Sequence, residues 1–315
     1  MKIIKGCDVV YGFSFDMEEK YRVSPLEEFV VETNDCFYQQ IQDEDELIEN
    51  LDHGAFNPAT GPIYVEGAEP GDVLKVKIKK IEVDSKGCSL TIPDAGFLPD
   101  RVTKALTKII EIKDDLAIFS DEIKLPIRPM IGVIGVATRK EDGMIATDTP
   151  YRHGGNMDTT DITAGTNLYL PVAVPGAMLA LGDLHAVMGD GEVCVTGLEI
   201  PGKVILEVEI IKNKEISWPI LENKGSIQVI ASDADLEKAS RIALEEMIRI
   251  LEKARGLSFE EAYILSSLAV DMKISQLVNP KKTARAAISK DILDPKKLFE
   301  NYKKIFQAQA LAVFS

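Results

Sequence analysis

Over the first two thirds of the chain, apolar and polar positions mostly alternate with a period of two, the mark of strands with one buried face. In VSPLEEFVVETND the alternation centres on Phe29 and Val31. An extended run begins at Ile63, with Ile63 and Val65 on one face and Tyr64 and Glu66 on the other. Glu69-Pro70-Gly71-Asp72 suits a type II turn, in which proline fixes φ at the second position and glycine accepts positive φ at the third. Leu74, Val76 and Ile78 then alternate with Lys75, Lys77 and Lys79, so the two strands are expected to pair as a hairpin. Met130 to Ala137 reads as a buried strand, LYLPVAV and VCVTGLEI as buried or half-buried ones, and KVILEVEII places Val204, Leu206, Val208 and Ile210 on one face. Short strands broken by Gly/Pro turns predict a mainly β fold with a sandwich or barrel-like core.

Near Trp218 the pattern changes. GSIQVIAS reads as a strand, and Ser232-x-x-Asp235 as a capping box opening a helix with Leu236, Ala239, Ala243, Met247, Ile250 and Ala254 at helical spacing. Gly256 ends that helix, Ser258-x-x-Glu261 opens a second one running to about Met272, and TARAAIS supplies a last strand. The chain thus divides into a mainly β catalytic domain, 1–215, and a small α/β unit, 216–315, packed on it. The second unit has no histidine and carries its polar residues mainly on the outer faces of its helices, so it is expected to support packing or assembly and to contribute little chemistry.

Composition narrows the partners. The 51 acidic against 36 basic residues give a net charge of −15, and with no basic stripe to offset it a nucleic-acid backbone is excluded as the natural partner. The longest apolar stretch, Val172 to Leu181, is broken by Pro175 and Gly176, so no membrane span is expected. MKIIKGCDVV has no signal-peptide pattern, which makes a cytoplasmic location the expectation. Cys7, Cys36, Cys88 and Cys194 are scattered without CxxC spacing and read as reduced, structural thiols.

The stretch from His153 to Glu199 gathers the candidate chemistry. It holds two of the 3 histidines beside Asp158, Asp161, Asp183, Asp190 and Glu192, with glycines at the turns between strands. Such strand ends can hold carboxylates and an imidazole rigidly, as a metal or hydrolytic site requires. No GxSxG elbow is present.

GPIYVEGAEPGD (61–72), RPMIGVIGVA (128–137), HGGNMD (153–158), LYLPVAVPGA (168–177) and GDLHAVMGDGE (182–192) together resemble the acetamidase/formamidase family, over about residues 50 to 280. The chain is similar to the shorter, acetamidase-like branch, although Tyr151-Arg152 stands where members often have Pro-Gly before the histidine. The resemblance implies a mostly β sandwich with a small C-terminal α/β part, a homodimer, and hydrolysis of short aliphatic amides to a carboxylate and ammonia.

An amide is a poor electrophile, and a bound metal both activates water and polarises the carbonyl. The expected ligands are Asp158, which follows a Gly-Gly bend, and Asp183 and His185, which lie two apart on one face of an extended segment. Zinc is the first choice of ion, with calcium or manganese suiting an oxygen-rich set. Glu66, at a strand end beside Gly67, is the leading general-base candidate, followed by Glu192 and His53, while His153 and Asn156 are assigned to the substrate. Two alternatives remain: a non-catalytic β-sandwich module holding calcium with the same acids, and a metal-dependent hydrolase or lyase of another small carbonyl compound.

Overall fold

A computed structural model describes residues 1–299; residues 300–315, the end of the expected C-terminal unit, lie outside the described residues. The chain is mainly β. A nine-stranded sheet runs in the order Lys2–Ile4, Glu28–Thr33, Gly202–Ile211, Val73–Val83, Asn167–Pro171, Ile220–Glu222, Ser226–Asp233, Lys282–Ser289, Val270–Gln276. A six-stranded sheet contains Gly154–Asn156, Met130–Gly135, Leu179–His185, Ala59–Val65 and Val9–Val10 in that order, with Tyr21–Val23 parallel to Ala59–Val65. A four-stranded sheet is built from Lys124–Pro126, Leu116–Ile118, Leu106–Lys113 and Lys86–Thr91.

Alternation explains which face each strand buries. Leu74, Val76 and Ile78 of the nine-stranded sheet share one core with Ile63, Ile131 and Leu181 of the six-stranded sheet, which makes the sandwich. Val73 and Tyr169 point the other way, into a second core with Trp218, Met247 and Ile288. There α1 (Leu236–Arg255) buries Ala239, Ala243, Met247, Ile250 and Leu251 against the strands Ser226–Asp233 and Lys282–Ser289. Truncating Met247 to alanine would remove about 2–5 kcal/mol of that packing. The nine-stranded sheet does not break near residue 216, because Ile220–Glu222 pairs antiparallel with Asn167–Pro171.

The structure corrects the expected local elements in four places. The turn at Gly71 is as expected, with φ 88° and Asp72 N donating to the Glu69 carbonyl at 3.0 Å. Its flanking strands do not form a hairpin: Ala59–Val65 pairs with Leu179–His185, whereas Val73–Val83 pairs with Gly202–Ile211. Ala59–Val65 is buried on both faces for most of its length, so the turn carries the chain from one layer to the other. VCVTGLEI is a loop, not a strand. Val195 has φ 82°, and the segment is tied by side chains, with Cys194 Sγ donating to the Leu90 carbonyl at 3.1 Å and Thr196 Oγ1 lying 2.9 Å from Ser89 Oγ. The N-cap of α1 is Asp235, which accepts from Lys238 N at 2.8 Å, because Ser232 still belongs to the preceding strand. The capping box at Ser258 and Glu261 forms as expected, but α2 (Phe259–Ala269) stops short of Met272, and Val270–Gln276 is the edge strand of the sheet. No helix among the described residues is long and apolar enough to cross a membrane.

Candidate functional site

Strand pairing builds the centre of the site. Met130–Gly135 lies between Gly154–Asn156 and Leu179–His185, which brings the segment leading to Asp158 beside the end that carries Asp183 and His185. Gly132 permits this approach. A Cβ added there would stand 2.5 Å from Asp158 Oδ1 and 2.5 Å from Asp183 Oδ2. Any side chain at position 132 would therefore push the two acids apart.

Around His185 Nε2 stand Glu199 Oε1 at 3.1 Å, Asp183 Oδ1 at 3.4 Å and Glu192 Oε1 at 3.9 Å. His185 and Asp158 are completely buried, and Asp183, Glu192 and Glu199 almost so. The other ring nitrogen, Nδ1, lies 3.3 Å from Met188 Sδ. Gly197 N donates to Glu199 Oε1 at 3.0 Å. The Asn156 amide, oriented by its hydrogen-bond pattern, donates to Asp158 Oδ2 at 3.0 Å and to Asp183 Oδ2 at 3.1 Å. Asn279 Nδ2 donates to Asp158 Oδ2 at 2.6 Å.

Four buried carboxyl groups around one imidazole leave an excess of negative charge that protein contacts do not balance. Burial, then the charge of Asp183, raises the Asp158 carboxyl to about 6. Burial, then Glu199, raises Asp183 to about 6 as well. Glu192 is pushed well above the ordinary carboxylate range by burial and next by Asp158. Burial opposes charge on His185, yet Glu199 and Asp183 together hold its pKa well above the ordinary value. Protons are thus retained because positive charge is wanted there.

A cation would supply it. His185 Nε2, Asp183 Oδ1, Glu192 Oε2 and Glu199 Oε2 are buried without a hydrogen-bond partner, which is the arrangement expected of groups facing an ion. Two triads have ligand atoms within 4.8 Å of one another, Asp158–His185–Glu192 and Cys36–Asp183–Glu199. The donor set of carboxylates, an imidazole and a thiol fits a metal ion.

Asp158, Asp183, His185, Glu192 and Asn156 are brought together, whereas three other candidates lie elsewhere. Glu66 is exposed and accepts from Ser24 Oγ at 3.0 Å, because Ala59–Val65 ends at the surface. His53 is also exposed, stacked on Phe56 with ring centroids 4.8 Å apart and with Nε2 3.0 Å from the Ile48 carbonyl. His153 is buried against Phe13 with neither ring nitrogen hydrogen-bonded to protein, and burial, then Lys281, lowers its pKa to about 3.

Sequence reasoning passed over Glu199, Cys36 and Asn279. Glu199 carried a readable signal, an acid set between Leu198 and Ile200 in an apolar run. Cys36 and Asn279 carried none, since only the tertiary fold brings them in. Asn279 brings the C-terminal unit, expected to contribute little chemistry, into hydrogen-bond contact with Asp158. Fully buried Arg285 of the same unit binds Asp190 Oδ2 at 2.6 Å, Asp161 Oδ2 at 3.1 Å and the Ile274 carbonyl at 2.9 Å. Gly191 N donates to the Ser275 carbonyl at 2.7 Å, and Leu277 N to the Gly191 carbonyl at 3.0 Å. The loop bearing Glu192 is therefore strapped on both sides of Gly191 by the C-terminal unit.

Fold and centre together define a mainly β sandwich protein with a buried carboxylate–imidazole cluster suited to a divalent cation. The chain belongs to the Acetamidase/Formamidase family, whose model matches residues 12–144 and 139–295. It is similar to a predicted acetamidase/formamidase from Thermoanaerobacter tengcongensis, with 46% identity, 93% of this chain and 96% of that one covered, and a TM-score of 0.90. An acetamidase from Bacillus halodurans matches with 39% identity, 92% and 97% coverage, and a TM-score of 0.90. A putative formamidase of Schizosaccharomyces pombe is 27% identical over 65% of this chain and 63% of its own length, so the chain spans less than two thirds of that relative.

Proposed function

We propose that the protein is an amidohydrolase that cleaves short aliphatic amides to a carboxylate and ammonia with the help of a divalent metal, zinc first and calcium or manganese after it. One observation carries this reading: in a member of the Acetamidase/Formamidase family, the buried side chains of Asp183, His185, Glu192 and Glu199 gather, each with a polar atom that has no hydrogen-bond partner. Asp158, Asp183, Glu199 and His185 are the groups that would hold the ion. When bound, such an ion supplies charge that polarises a carbonyl and lowers the pKa of water towards about 7.

The remaining steps fall to the chain. Glu192, whose Oε1 lies 3.9 Å from His185 Nε2, takes the proton of the attacking water and returns it to the departing nitrogen. Its raised pKa suits a group that must hold a proton part of the time. Asn156 and Asn279 fix the Asp158 carboxylate, and Asn156 holds Asp183 as well. The burial of the cluster keeps bulk water out and strengthens each charge–charge contact. The cytoplasmic location expected from the N-terminal sequence and the dimer implied by the family resemblance are part of the same reading, and light scattering of the purified protein checks the dimer.

Ammonia release from a panel of C1–C4 amides, with and without a chelator, tests the assignment. Turnover that falls on chelation and returns with metal is the expected result. Inactivity of folded, metal-loaded protein on every short amide would overturn it in favour of a metal-binding module, and hydrolysis of other carbonyl compounds alone would move it to another class.

A further inference from the structure

Resting on the amidase reading, we propose that an apolar cavity beside Glu192 is the acyl pocket and that the preferred substrates are linear primary amides of about four or five carbons rather than formamide or acetamide. The cavity measures about 260 Å³. That is below the ~300–1,000 Å³ typical of sites for drug-sized ligands, so it suits a short chain. Its walls include Ile110 and Leu125 of the four-stranded sheet, Phe119 just after the strand Leu116–Ile118, and Val187, Val193 and Leu198 of the loop that follows His185.

Three of its lining residues also border the buried centre. Glu192 Oε1 lies 3.9 Å from His185 Nε2, and Met188 Sδ lies 3.3 Å from His185 Nδ1. Gly197 is packed so closely that an added Cβ would stand 2.7 Å from His185 Cγ. The far end is open, with Val193 58%, Phe119 42% and Leu125 38% exposed. A cavity walled mostly by apolar side chains, with Ser89, Asp190 and Thr196 among the polar ones, and bordered by the proton-carrying acid fits an amide whose carboxamide head reaches Glu192 while its alkyl tail lies on Leu198, Phe119 and Val193. A methyl group alone would leave most of that volume unfilled. Burying each further methylene is worth about 0.8 kcal/mol, close to a fourfold change, so kcat/KM should climb with chain length until the cavity is full.

The test measures kcat/KM for formamide, acetamide, butanamide and pentanamide in the metal-loaded wild type and in Val193→Glu and Leu125→Glu. Both substitutions fall at partly exposed positions, and circular dichroism and Tm control for folding. The wild type should favour pentanamide over acetamide by roughly 60-fold, three methylenes at about fourfold each. In either variant the pentanamide-to-acetamide ratio should collapse to within about threefold of one, because a carboxylate at the mouth would have to be desolvated against the alkyl tail. A flat or falling dependence on chain length in an active wild type overturns the acyl pocket, and so does a ratio preserved in both variants. Pentanamide binding, followed by ligand-observed NMR, separates the two readings. Binding that Val193→Glu abolishes, with no amide hydrolysed by the wild type, overturns the amidase and the substrate preference with it while leaving the cavity as an alkyl site. Turnover without chain-length discrimination overturns the cavity alone.

Discussion

Replacing Glu192 with glutamine separates proton transfer from charge balance, because the two effects have opposite signs. The side chain is almost fully buried, its Oε2 has no hydrogen-bond partner, and it shares a triad within 4.8 Å with Asp158 and His185. Two ionised carboxylates within that separation repel by about 3 kcal/mol or more at an effective dielectric of ~20. Glutamine keeps the shape and removes that repulsion, so metal-free Glu192→Gln should unfold no more easily than the wild type at pH 8. A raised midpoint in urea is the expected result. Turnover should fall by about 10²–10⁴, since the amide cannot accept and return the proton. At ~1.4 kcal/mol per tenfold this is roughly 3–5 kcal/mol of transition-state stabilisation. The assay is steady-state ammonia release with metal content measured on the same sample, and Glu66→Gln as a parallel control. Glu66 is exposed and bonded to Ser24, so its loss should change turnover less than about threefold. A Glu192→Gln enzyme that keeps more than a tenth of wild-type turnover would refute the proton-carrier role. Loss of turnover through Glu66→Gln would show that the surface acid takes part in the reaction.

Metal removal should lower the Tm as well as the activity, because an ion held at 100 times its Kd stabilises the folded state by about 2.7 kcal/mol; differential scanning fluorimetry with chelator and added zinc checks this. Arg285→Met should destabilise the protein by about 1.5–3 kcal/mol, the range for a lost hydrogen bond to a charged group, since the Asp190 carboxylate is 46% exposed and is not stranded as a buried charge, and should lower kcat by freeing Asp190 next to the Glu192 loop. Arg285→Lys should recover part of both, and urea unfolding together with kinetics reads them. Burial holds His153 neutral down to a pKa of about 3, against about 6.5 unfolded, so the unfolded chain binds the extra proton. Its contribution is fully present above pH 6.5 and is lost as the pH falls towards 3. The stability lost between pH 7 and pH 5 should therefore be roughly 2 kcal/mol smaller in His153→Gln than in the wild type, measured by urea unfolding at both values.

The mainly β class, the two capped helices and the strand at KVILEVEII were readable because each depends on local periodicity, which tertiary packing then reinforced. Pairing was not readable in the same way. The run at Ile63 and the run at Leu74 look like a hairpin because a good turn joins them, but turn chemistry says nothing about which layer a strand enters. The site divided along the same line. Asp158, Asp183, His185 and Glu192 stood out as charged residues in glycine-punctuated apolar sequence. Asn279 and Cys36, about 120 residues away on either side of Asp158, come in only through the fold. Glu66 illustrates the converse: a strand-end carboxylate beside a glycine has the right local context and still faces solvent.

The three acids that were found share a backbone feature that alternation cannot describe. Asp158 has φ 38°, Asp183 φ 56° and Glu192 φ 46°, all in the left-handed region that non-glycine residues rarely occupy. Asp183 does so inside a strand, and Glu192 in the loop just before VCVTGLEI, the run that had been expected to form a strand. A period-two reading assigns each residue a face by assuming extended backbone, so it loses its meaning at these positions. Left-handed geometry persists where surrounding contacts over-determine it. Here those contacts are the Asn156 and Asn279 amides on Asp158, the absence of a side chain at Gly132, and the Ser275 and Leu277 bonds around Gly191. Two of these, the Asn279 bond and the strap at Gly191, come from the C-terminal unit. That unit therefore bonds directly to the backbone and side chains around the buried acids, and a change at Asn279 or Arg285 should register there before it registers in the sandwich core.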